Sequence, residues 1–474
     1  MAFFFQQRES NLEKGQDESI LTYSPFVINQ EANRPDKPGR KKNTWTITIN
    51  AAEIQEVPIS KAVTGELLPW KIAMWGSFRD SKLLERIQRK FPTFSDFAER
   101  QGLVAHEGFQ LREEPKQSQE SLEARPELEG KKRADFTKLK GIGRIFVFPE
   151  IALDTIPKEK CNIRIRGGLA GLKVSQPPHI LLDEARRFAV YSDEFIAVSV
   201  RQIGITAPPG KESLLKALSL YLSSDFVIYQ QFFTSSQWGI DANVANLDSL
   251  KNLPIPLGKL SEKGIREWAA LRDALAKISL TSLEPELGKQ VAPNTEQAWA
   301  EKIAELNERV FQLLGLRENE RILIQDFVAT NMQCVKGKVT RATLNPPSKL
   351  MMQSYLQRLK KELDTFIDGQ TDTLHEITAL HDTHSAMLAI RLASADVTQH
   401  IVIKLADEET AHELVRTRER LQQRHGQWVY FNRNLRIYDN DTTYCFKPMH
   451  ALHWTQRQAI LDAGEVIAET LVAE

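Results

Sequence analysis

The sequence has no excess of either charge and no long apolar run. Its 474 residues include 62 lysines and arginines and 62 aspartates and glutamates, so the formal net charge is zero. Proteins that attract nucleic acid with their whole surface are basic, so any DNA-binding face must here be local. No apolar run is long enough to span a bilayer, and the apolar residues 2–5 are too few for a signal peptide. We therefore expect no membrane partner.

Cysteine is also scarce. The three cysteines, Cys161, Cys334 and Cys445, lie far apart and show no paired metal-binding spacing. This argues against a disulfide scaffold or a zinc ribbon and suits the reducing cytoplasm, where we expect the protein to act. Hydrophobic residues make up 42% and charged residues 26%, which is typical of a globular protein. A chain of this length exceeds one ordinary core, so we expect two to four domains.

The most strongly patterned stretch begins with residues 214–233. These residues are apolar on nearly every face, which indicates a buried helix. Ser223, Ser224 and Asp225 interrupt the run, and a serine or aspartate at this point favours a capped second short helix. The polar segment that follows ends in Leu-Pro-Ile-Pro at residues 253–256, where alternate prolines favour an extended exit.

Several short segments between residues 136 and 210 are predicted to be strands, because they are apolar and bounded by glycine or proline. They are residues 143–148, 162–166, 179–182 and 195–200. Two local basic clusters lie in or beside this region. The first, residues 131–144, carries six lysines and arginines and one aspartate; the second runs from Arg164 to Lys173.

The predicted strand 162–166 places Arg164 and Arg166 on one face, because side chains two residues apart lie on the same side of a strand. An antiparallel sheet that offers arginine and glutamine from its loops is able to read base edges in the major groove. A solvated strand face explains the same residues equally well, so both interpretations stay open.

Upstream, segment 69–90 combines tryptophans with a helical stripe of leucine and isoleucine. It is interpreted either as a small packed subdomain or as a segment in which Lys71 and Arg79 contact phosphate. Residues 112–134 alternate charge with proline and contain no aromatic residue, which is typical of a linker or a solvated hairpin.

Downstream, apolar residues at helical spacing predict helices over residues 257–278, 297–315 and 350–367. Residues 385–474 are predicted to form a separate α+β module. Its expected strands are 387–392, 401–405, 428–431, 435–438 and 444–446, with helices at 408–424 and 455–472.

The order of these motifs resembles the target-recognition region of large bacterial N6-adenine DNA methyltransferases, of the type IIG and type I-like restriction-modification and phage-defence systems. The resemblance covers roughly residues 1–370. The matching motifs are Trp-Lys, Trp-Gly-Ser and Arg-Asp between residues 70 and 80, the Ser-Ser-Asp break, Trp-Gly at 238–239, Leu-Pro-Ile-Pro at 253–256, and the run from Glu-Leu-Asn to Glu-Arg-Ile at 305–322.

The resemblance implies an α+β, multidomain chain in which a strand-rich target-recognition domain is followed by a helical spacer and a small C-terminal α+β module. The implied parts are the last strand or strands of a methyltransferase-like sheet with a linker (1–43), a small coupling subdomain (44–111), a linker (112–135), the recognition domain (136–258), the spacer (259–370) and the module (371–474).

The chemistry of methyl transfer is not found in the sequence. Such an enzyme needs a glycine-rich loop for S-adenosylmethionine and an Asn/Asp-Pro-Pro-aromatic loop for the flipped adenine. The tripeptide Asn345-Pro346-Pro347 is followed by Ser348 rather than by an aromatic residue, so it is interpreted as a turn. We predict no catalytic or cofactor-binding residue in this chain and expect S-adenosylmethionine in a separately encoded catalytic partner.

A group of histidines offers a second, weaker motif. His381 and His384 are three residues apart and would share a helix face as metal ligands, with His375 and Asp382 nearby. No acidic or cysteine partner has convincing spacing, so these are interpreted as surface histidines around a helix end and no metal ligand is predicted.

The sequence thus predicts the DNA-recognition component of a restriction-modification or phage-defence methyltransferase, which binds double-stranded DNA and directs a catalytic domain absent from this chain. Two alternatives stay open: a DNA-targeted nuclease or effector with its chemistry in residues 371–474, and a protein-binding adaptor of a defence complex. The candidate DNA-binding residues are Lys71, Arg79, Lys138, Lys140, Arg164, Arg166, Lys173, Arg201, Gln202, Gln237 and Trp238.

Overall fold

The computed structural model describes most of the chain. The described residues are 19–23, 54–113, 122–135, 138, 144–239, 244–282, 295–335, 343, 345–367, 372–383, 385–394, 400–407, 435–439 and 441–473.

Helices and strands come largely in separate runs along these residues, as expected for an α+β chain. The helices are α1 Ile59–Ala62, α2 Leu67–Trp75, α3 Phe78–Lys90, α4 Phe94–Gln101, α5 Ile165–Lys173, α6 Glu212–Leu222, α7 Asp225–Thr234, α8 Leu247–Lys251, α9 Glu262–Ser282, α10 Thr295–Leu314, α11 Glu318–Asp326, α12 Met332–Val335, α13 Lys349–Ile367 and α14 Gln456–Ala473. Shorter turns of 3-10 helix are Pro126–Leu128, Glu150–Ala152, Lys158–Lys160, Leu257–Lys259 and Ala451–Trp454, and Phe327–Asn331 is a π-helical turn.

The strands are mostly short. They are β1 Ser19–Tyr23, β2 Ile54–Pro58, β3 Val104–Glu107, β4 Leu111–Arg112, β5 Leu122–Ala124, β6 Lys132–Ala134, β7 Leu153–Thr155, β8 Asn162–Arg164, β9 His179–Asp183, β10 Ala189–Ser192, β11 Ile196–Ala197, β12 Gln202–Thr206, β13 Thr373–His381, β14 Ser385–Ser394, β15 Ile401–Leu405, β16 Leu435–Asp439 and β17 Thr442–Pro448.

The chain divides into two compact units, one of which is Lys82–Arg317. Its largest sheet has the strand order β10-β9-β12-β3, with every neighbouring pair antiparallel. Two three-stranded sheets, β11-β6-β7 and β4-β8-β5, belong to the same unit. Apolar side chains such as Leu181, Val190 and Val198 form a buried core with Phe148 and Phe188.

The other unit combines Met1–Ser81 with Glu318–Glu474. It contains the β1-β2 pair and a five-stranded sheet with the order β15-β13-β14-β17-β16. Side chains of α13 and α14 pack with one face of this sheet in a buried core that includes Leu356, Ile377, Leu388 and Ala459. No helix within the described residues is long and apolar enough to cross a membrane.

The apolar run at residues 214–233 forms two buried helices, α6 and α7, which confirms the prediction. They break at Ser223 and Ser224, and the Ser224 hydroxyl accepts a hydrogen bond from the backbone N–H of Val227 at 3.4 Å. The Tyr221 hydroxyl donates to the carbonyl of Pro254 at 2.6 Å, which fastens the helix to the predicted extended exit. The helices predicted at 257–278, 297–315 and 350–367 correspond to α9, α10 and α13.

The predicted strand 162–166 is wrong in its second half. The strand β8 ends at Arg164, and α5 begins at Ile165, so Arg164 and Arg166 are not alternate residues of one strand. The cause lies in Gly168 and Gly171, which permit a close approach. A Cβ on Gly171 would lie 2.9 Å from the backbone nitrogen of Phe109, so these glycines serve helix packing rather than a flexible loop.

The predicted strand 143–148 is also wrong for its described part. Only Ile145 makes an isolated bridge, to Phe188, and residues around it bend. Phe146 and Phe148 are buried in contact with Trp299 and Phe188 respectively. Burial of aromatic rings therefore explains this apolar run without strand pairing.

The predicted linker at residues 112–135 contains ordered strands in its described part. The strand β5 pairs with β8, and β6 pairs with both β7 and β11. The linker prediction is wrong for the strands in residues 122–134, because strands this short and this charged have the same composition as a solvated linker. The strand predicted at 428–431 and the helix predicted at 408–424 lie outside the described residues.

Candidate nucleic-acid interface

Three of the candidate DNA-binding side chains are buried. Lys71 in α2 is fully buried, and burial lowers its pKa from 10.5 to about 8. Gln202 in β12 is also fully buried, and its side-chain oxygen accepts from the backbone N–H of Ser199 at 2.7 Å. Trp238 is 4% exposed and contacts Phe232 edge-on, with ring centroids 6.1 Å apart. In this structure none of the three presents its side chain to a duplex, so we correct their assignment to structural roles.

The basic cluster at residues 131–144 is largely neutralised by acids distant in sequence. Lys138 lies 2.8 Å from the carboxylate of Asp154, which raises the pKa of this lysine. Lys132 pairs with Glu194 at 3.0 Å. Further along, Arg144 pairs at 2.7 Å with a carboxylate of α7. The local net charge of +5 expected from sequence therefore does not describe the folded surface.

The remaining candidates on α3 and α5 have mixed surroundings. Arg79 is half-buried, and its guanidinium lies near Gly464 of the same unit. Arg164 and Lys173 are exposed at opposite ends of α5. Lys140 and the side chain of Arg166 lie outside what the structure describes.

Arg201 and Gln237, by contrast, are exposed on loops that are fastened to each other. We call the hairpin turn 184–187, the turn 199–201 and the described parts of segment 235–245 the loop cluster. The backbone N–H of Glu184 donates to the carbonyl of Arg201 at 3.3 Å, and the backbone N–H of Ala245 donates to the carbonyl of Glu184 at 2.8 Å. The hydroxyl of Ser235 donates to the carbonyl of Val244 at 2.6 Å. These bonds hold three loops of one sheet end together.

Helix α7 of the buried α6–α7 pair is hydrogen-bonded to the loop cluster. Arg186 is 5% exposed; its guanidinium donates to the carbonyl of Asp183 at 2.9 Å and to the side-chain oxygen of Gln231 in α7 at 2.6 Å. The amide of Gln231 in turn donates to the carbonyl of Ser249 at 2.8 Å. Burial lowers the pKa of Arg186 to about 10, against the attraction of Asp183 and Glu184.

Two arginines of the loop cluster adopt a left-handed backbone conformation. Arg186 has φ 55° and Arg201 has φ 68°, and they are the only non-glycine residues with positive φ among those described. A side chain at such a position costs free energy that glycine avoids. The buried hydrogen bonds of Arg186 offset the free energy of this strain, whereas the Arg201 side chain is exposed. Strained backbone positions cluster at functional sites, so Arg201 stays a candidate binding residue.

Glu184 is an acidic residue of the loop cluster that lies beside Arg186 and Arg201. The sequence analysis did not predict it as a candidate binding residue. Its carboxylate is half-buried, and burial, followed by repulsion from Glu107, raises its pKa, while Arg186 and Arg201 oppose this shift. No motif indicates this residue, because an acid is not expected on a face that approaches phosphates. The one sequence feature that could have pointed to Glu184 is its position in a hairpin turn between two strands.

The motif residues between 70 and 80 serve structure in the other unit. Asp80 is fully buried, and both its carboxylate oxygens accept from the guanidinium of Arg457 in α14, at 2.7 and 2.8 Å. The hydroxyl of Ser77 also donates to Asp80. In the same unit Lys447 forms an ion pair with Asp462, which also accepts at 2.6 Å from Tyr355. These pairs give Ser77, Asp80 and Lys447 structural roles in this unit.

The histidines lie on a β-hairpin rather than on a helix. His375 and His381 are in β13, so the predicted helix end is wrong, and His384 lies outside the described residues. The Nδ1 atom of His375 lies 2.9 Å from a carboxylate oxygen of Asp364, which also pairs with Lys360. An open cavity of about 420 Å³ beside α13 is lined in part by Lys360 and Asp364. Among the described residues no three metal-binding side chains gather at one site.

Comparison with known proteins does not identify a family for this chain. No family model matches the chain, and none of the curated proteins matches it.

Proposed function

We propose that this chain is the DNA-recognition component of an N6-adenine methyltransferase system of the restriction-modification or phage-defence type. The observation that carries the proposal is the loop cluster, in which exposed Arg201 and Gln237 stand on loops fastened to a sheet and a buried helix pair. Arginine and glutamine are the side chains that read guanine and adenine in the major groove. A rigid support lowers the entropic cost of such contacts.

Phosphate contacts come, on this proposal, from exposed cations of the same unit. Arg164, the last residue of β8, and Lys173, the last residue of α5, are both exposed. Phosphate contacts position a protein on the duplex, and side chains that reach base edges determine the sequence bound. The motif resemblance supplies the rest of the proposal: methyl transfer by a separate subunit that binds S-adenosylmethionine.

Replacement of Arg201 by glycine tests the proposal. Glycine removes the guanidinium and relaxes the left-handed backbone, so the variant is expected to fold at least as stably. We expect its affinity for duplex DNA, measured by fluorescence anisotropy, to fall roughly 10- to 100-fold, because an arginine contact to a base contributes about 1–3 kcal/mol. The matched control is Lys263→Ala, which removes an exposed cation from α9 of the same unit and should leave affinity within twofold.

Two outcomes contradict the proposal. If the full chain retains no duplex at low salt, the protein-binding adaptor becomes the better hypothesis. If the chain cleaves DNA once a divalent metal is added, and His381→Ala abolishes cleavage, the effector hypothesis replaces it. The chain supplied with S-adenosylmethionine and plasmid is expected to leave adenines unmethylated until a catalytic subunit is added.

A further inference from the structure

Glu184 and Arg201 lie side by side in the loop cluster without pairing with each other. Their main chains are joined by the 3.3 Å bond from the Glu184 N–H to the Arg201 carbonyl, and their charges influence each other. Within the described residues, however, no ion pair or side-chain hydrogen bond engages either the carboxylate or the guanidinium. An acceptor and a donor of opposite charge are thus held close together and left available.

The position of Glu184 is fixed by its neighbours. Its N–H and its carbonyl are both hydrogen-bonded, to Arg201 and to Ala245, and Arg186 two residues later is locked onto Gln231. Glu107 of β3 and Asp183 repel the carboxylate, whereas Arg186 and Arg201 attract it. Burial and the two acids disfavour its charged form, so a hydrogen-bond donor brought by a ligand would stabilise that form.

A half-buried carboxylate is repelled by phosphate, so it does not serve the DNA backbone. It does match the exocyclic amine of cytosine, which is a donor in the major groove, while a guanidinium matches the two acceptors of guanine. Both sets of groups lie on the same edge of a G·C base pair.

We infer that Glu184 and Arg201 together read one G·C base pair in the major groove, with Glu184 accepting from the cytosine amine and Arg201 donating to guanine. This inference rests on the proposed function and names the bases that the loop cluster selects. Glu184 is therefore a specificity-determining residue, and its acidic side chain adds discrimination rather than affinity.

Selection of bound duplexes from a random pool by the full chain, read by sequencing, tests the inference. We expect the wild-type motif to contain a G·C pair whose replacement weakens binding roughly 10- to 100-fold. Glu184→Gln should lose the preference for cytosine at this base pair alone and accept adenine in its place. The reason is that an amide offers both the donor and the acceptor that adenine matches. Arg201→Gly should lose the preference for guanine at the same pair, together with the loss of affinity described above, because glycine has no donor for the two acceptors of guanine.

The matched control is Glu267→Gln, which changes an exposed acid of α9 in the same unit and should return the wild-type motif. Thermal unfolding of each variant establishes that it is folded; Glu184→Gln keeps the side-chain shape and removes repulsion from Glu107. If Glu184→Gln and Arg201→Gly both still bind duplex and return the wild-type motif with unchanged discrimination, the inference is overturned while the proposed function stands. If the wild-type chain retains no duplex, the proposed function itself fails.

Discussion

Lys71 is a fully buried cation in α2, and its burial has a consequence for stability. Its pKa falls to about 8 in the folded protein, from 10.5 for an ordinary lysine. The folded state therefore binds fewer protons than the unfolded chain between pH 8 and 10.5. The free energy of unfolding should rise with pH across this window, by at most about 3 kcal/mol.

The change Lys71→Met removes this titration. Urea unfolding at pH 7.5 and at pH 10.5 measures the effect. The free energy of unfolding of the wild type should increase relative to that of the variant as the pH rises. A difference that is the same at both pH values would show that Lys71 titrates normally and is not buried.

The buried pair of Asp80 and Arg457 gives a second prediction at this scale. Removing one partner of a buried ion pair leaves the other charge without compensation, which costs about 3–5 kcal/mol. Asp80→Asn should therefore lower the free energy of unfolding of its unit by about that amount. Lys361→Ala, in an exposed pair with Glu318 of the same unit, is the control and should cost less than about 1 kcal/mol. Equal effects of the two changes would contradict the buried geometry.

The residue types of the candidate interface were predictable from the sequence, but their exposure was not. Lys138 is basic and lies in a basic run, yet Asp154 neutralises it from β7. Gln202 is polar but fully buried in β12, which pairs with β9 on one side and with β3 on the other. Such partners are set by long-range pairing of strands, which a local reading of the chain does not contain. Glu184 was missed for the same reason.

At the scale of elements, burial and capping signals predicted best. The α6–α7 pair follows from an apolar run and a serine break, and the Ser224 cap lies where the sequence indicates. The C-terminal strands at 387–392, 401–405, 435–438 and 444–446 are confirmed by β14 to β17. Helix α5 was missed because three glycines in nine residues suggest a loop, and only their close contacts explain a helix.

The cap of α7 gives the prediction at this scale. Ser224→Ala removes the acceptor for the backbone N–H of Val227 in a buried setting, so the free energy of unfolding should fall by about 1 kcal/mol. Ser236→Ala, at an exposed position after the same helix, should change it by less than about 0.5 kcal/mol. Chemical denaturation of both variants measures the difference, and a neutral Ser224→Ala would mean that the cap contributes nothing.

At the scale of the whole molecule, the two compact units differ from the six parts expected from the motif resemblance. Residues 82–111 belong with the strand-rich unit, and residues 318–370 belong with the C-terminal sheet. The sequence could not reveal this, because one unit is assembled from both ends of the chain. Asp80 and Arg457, 377 residues apart, are joined only by folding.

Independent folding of the continuous unit is the prediction that follows. Two of its core clusters lie wholly within residues 109–198, and Arg272 of α9 donates to the carbonyls of Phe146 and Tyr191 at 2.6 and 3.0 Å. A fragment of residues 77–317, which keeps α3 whole, should show a cooperative unfolding transition by circular dichroism. A fragment that unfolds without cooperativity would contradict the division into two units.

The central claim is that this chain binds double-stranded DNA and selects where a partner acts. The most direct measurement is the dissociation constant of the full chain for a mixed-sequence duplex as a function of salt. The claim predicts binding at 50 mM salt that weakens linearly on a double-logarithmic plot, with a slope that reflects several released counterions. Absence of binding at low salt, or binding that does not change with salt, would contradict it.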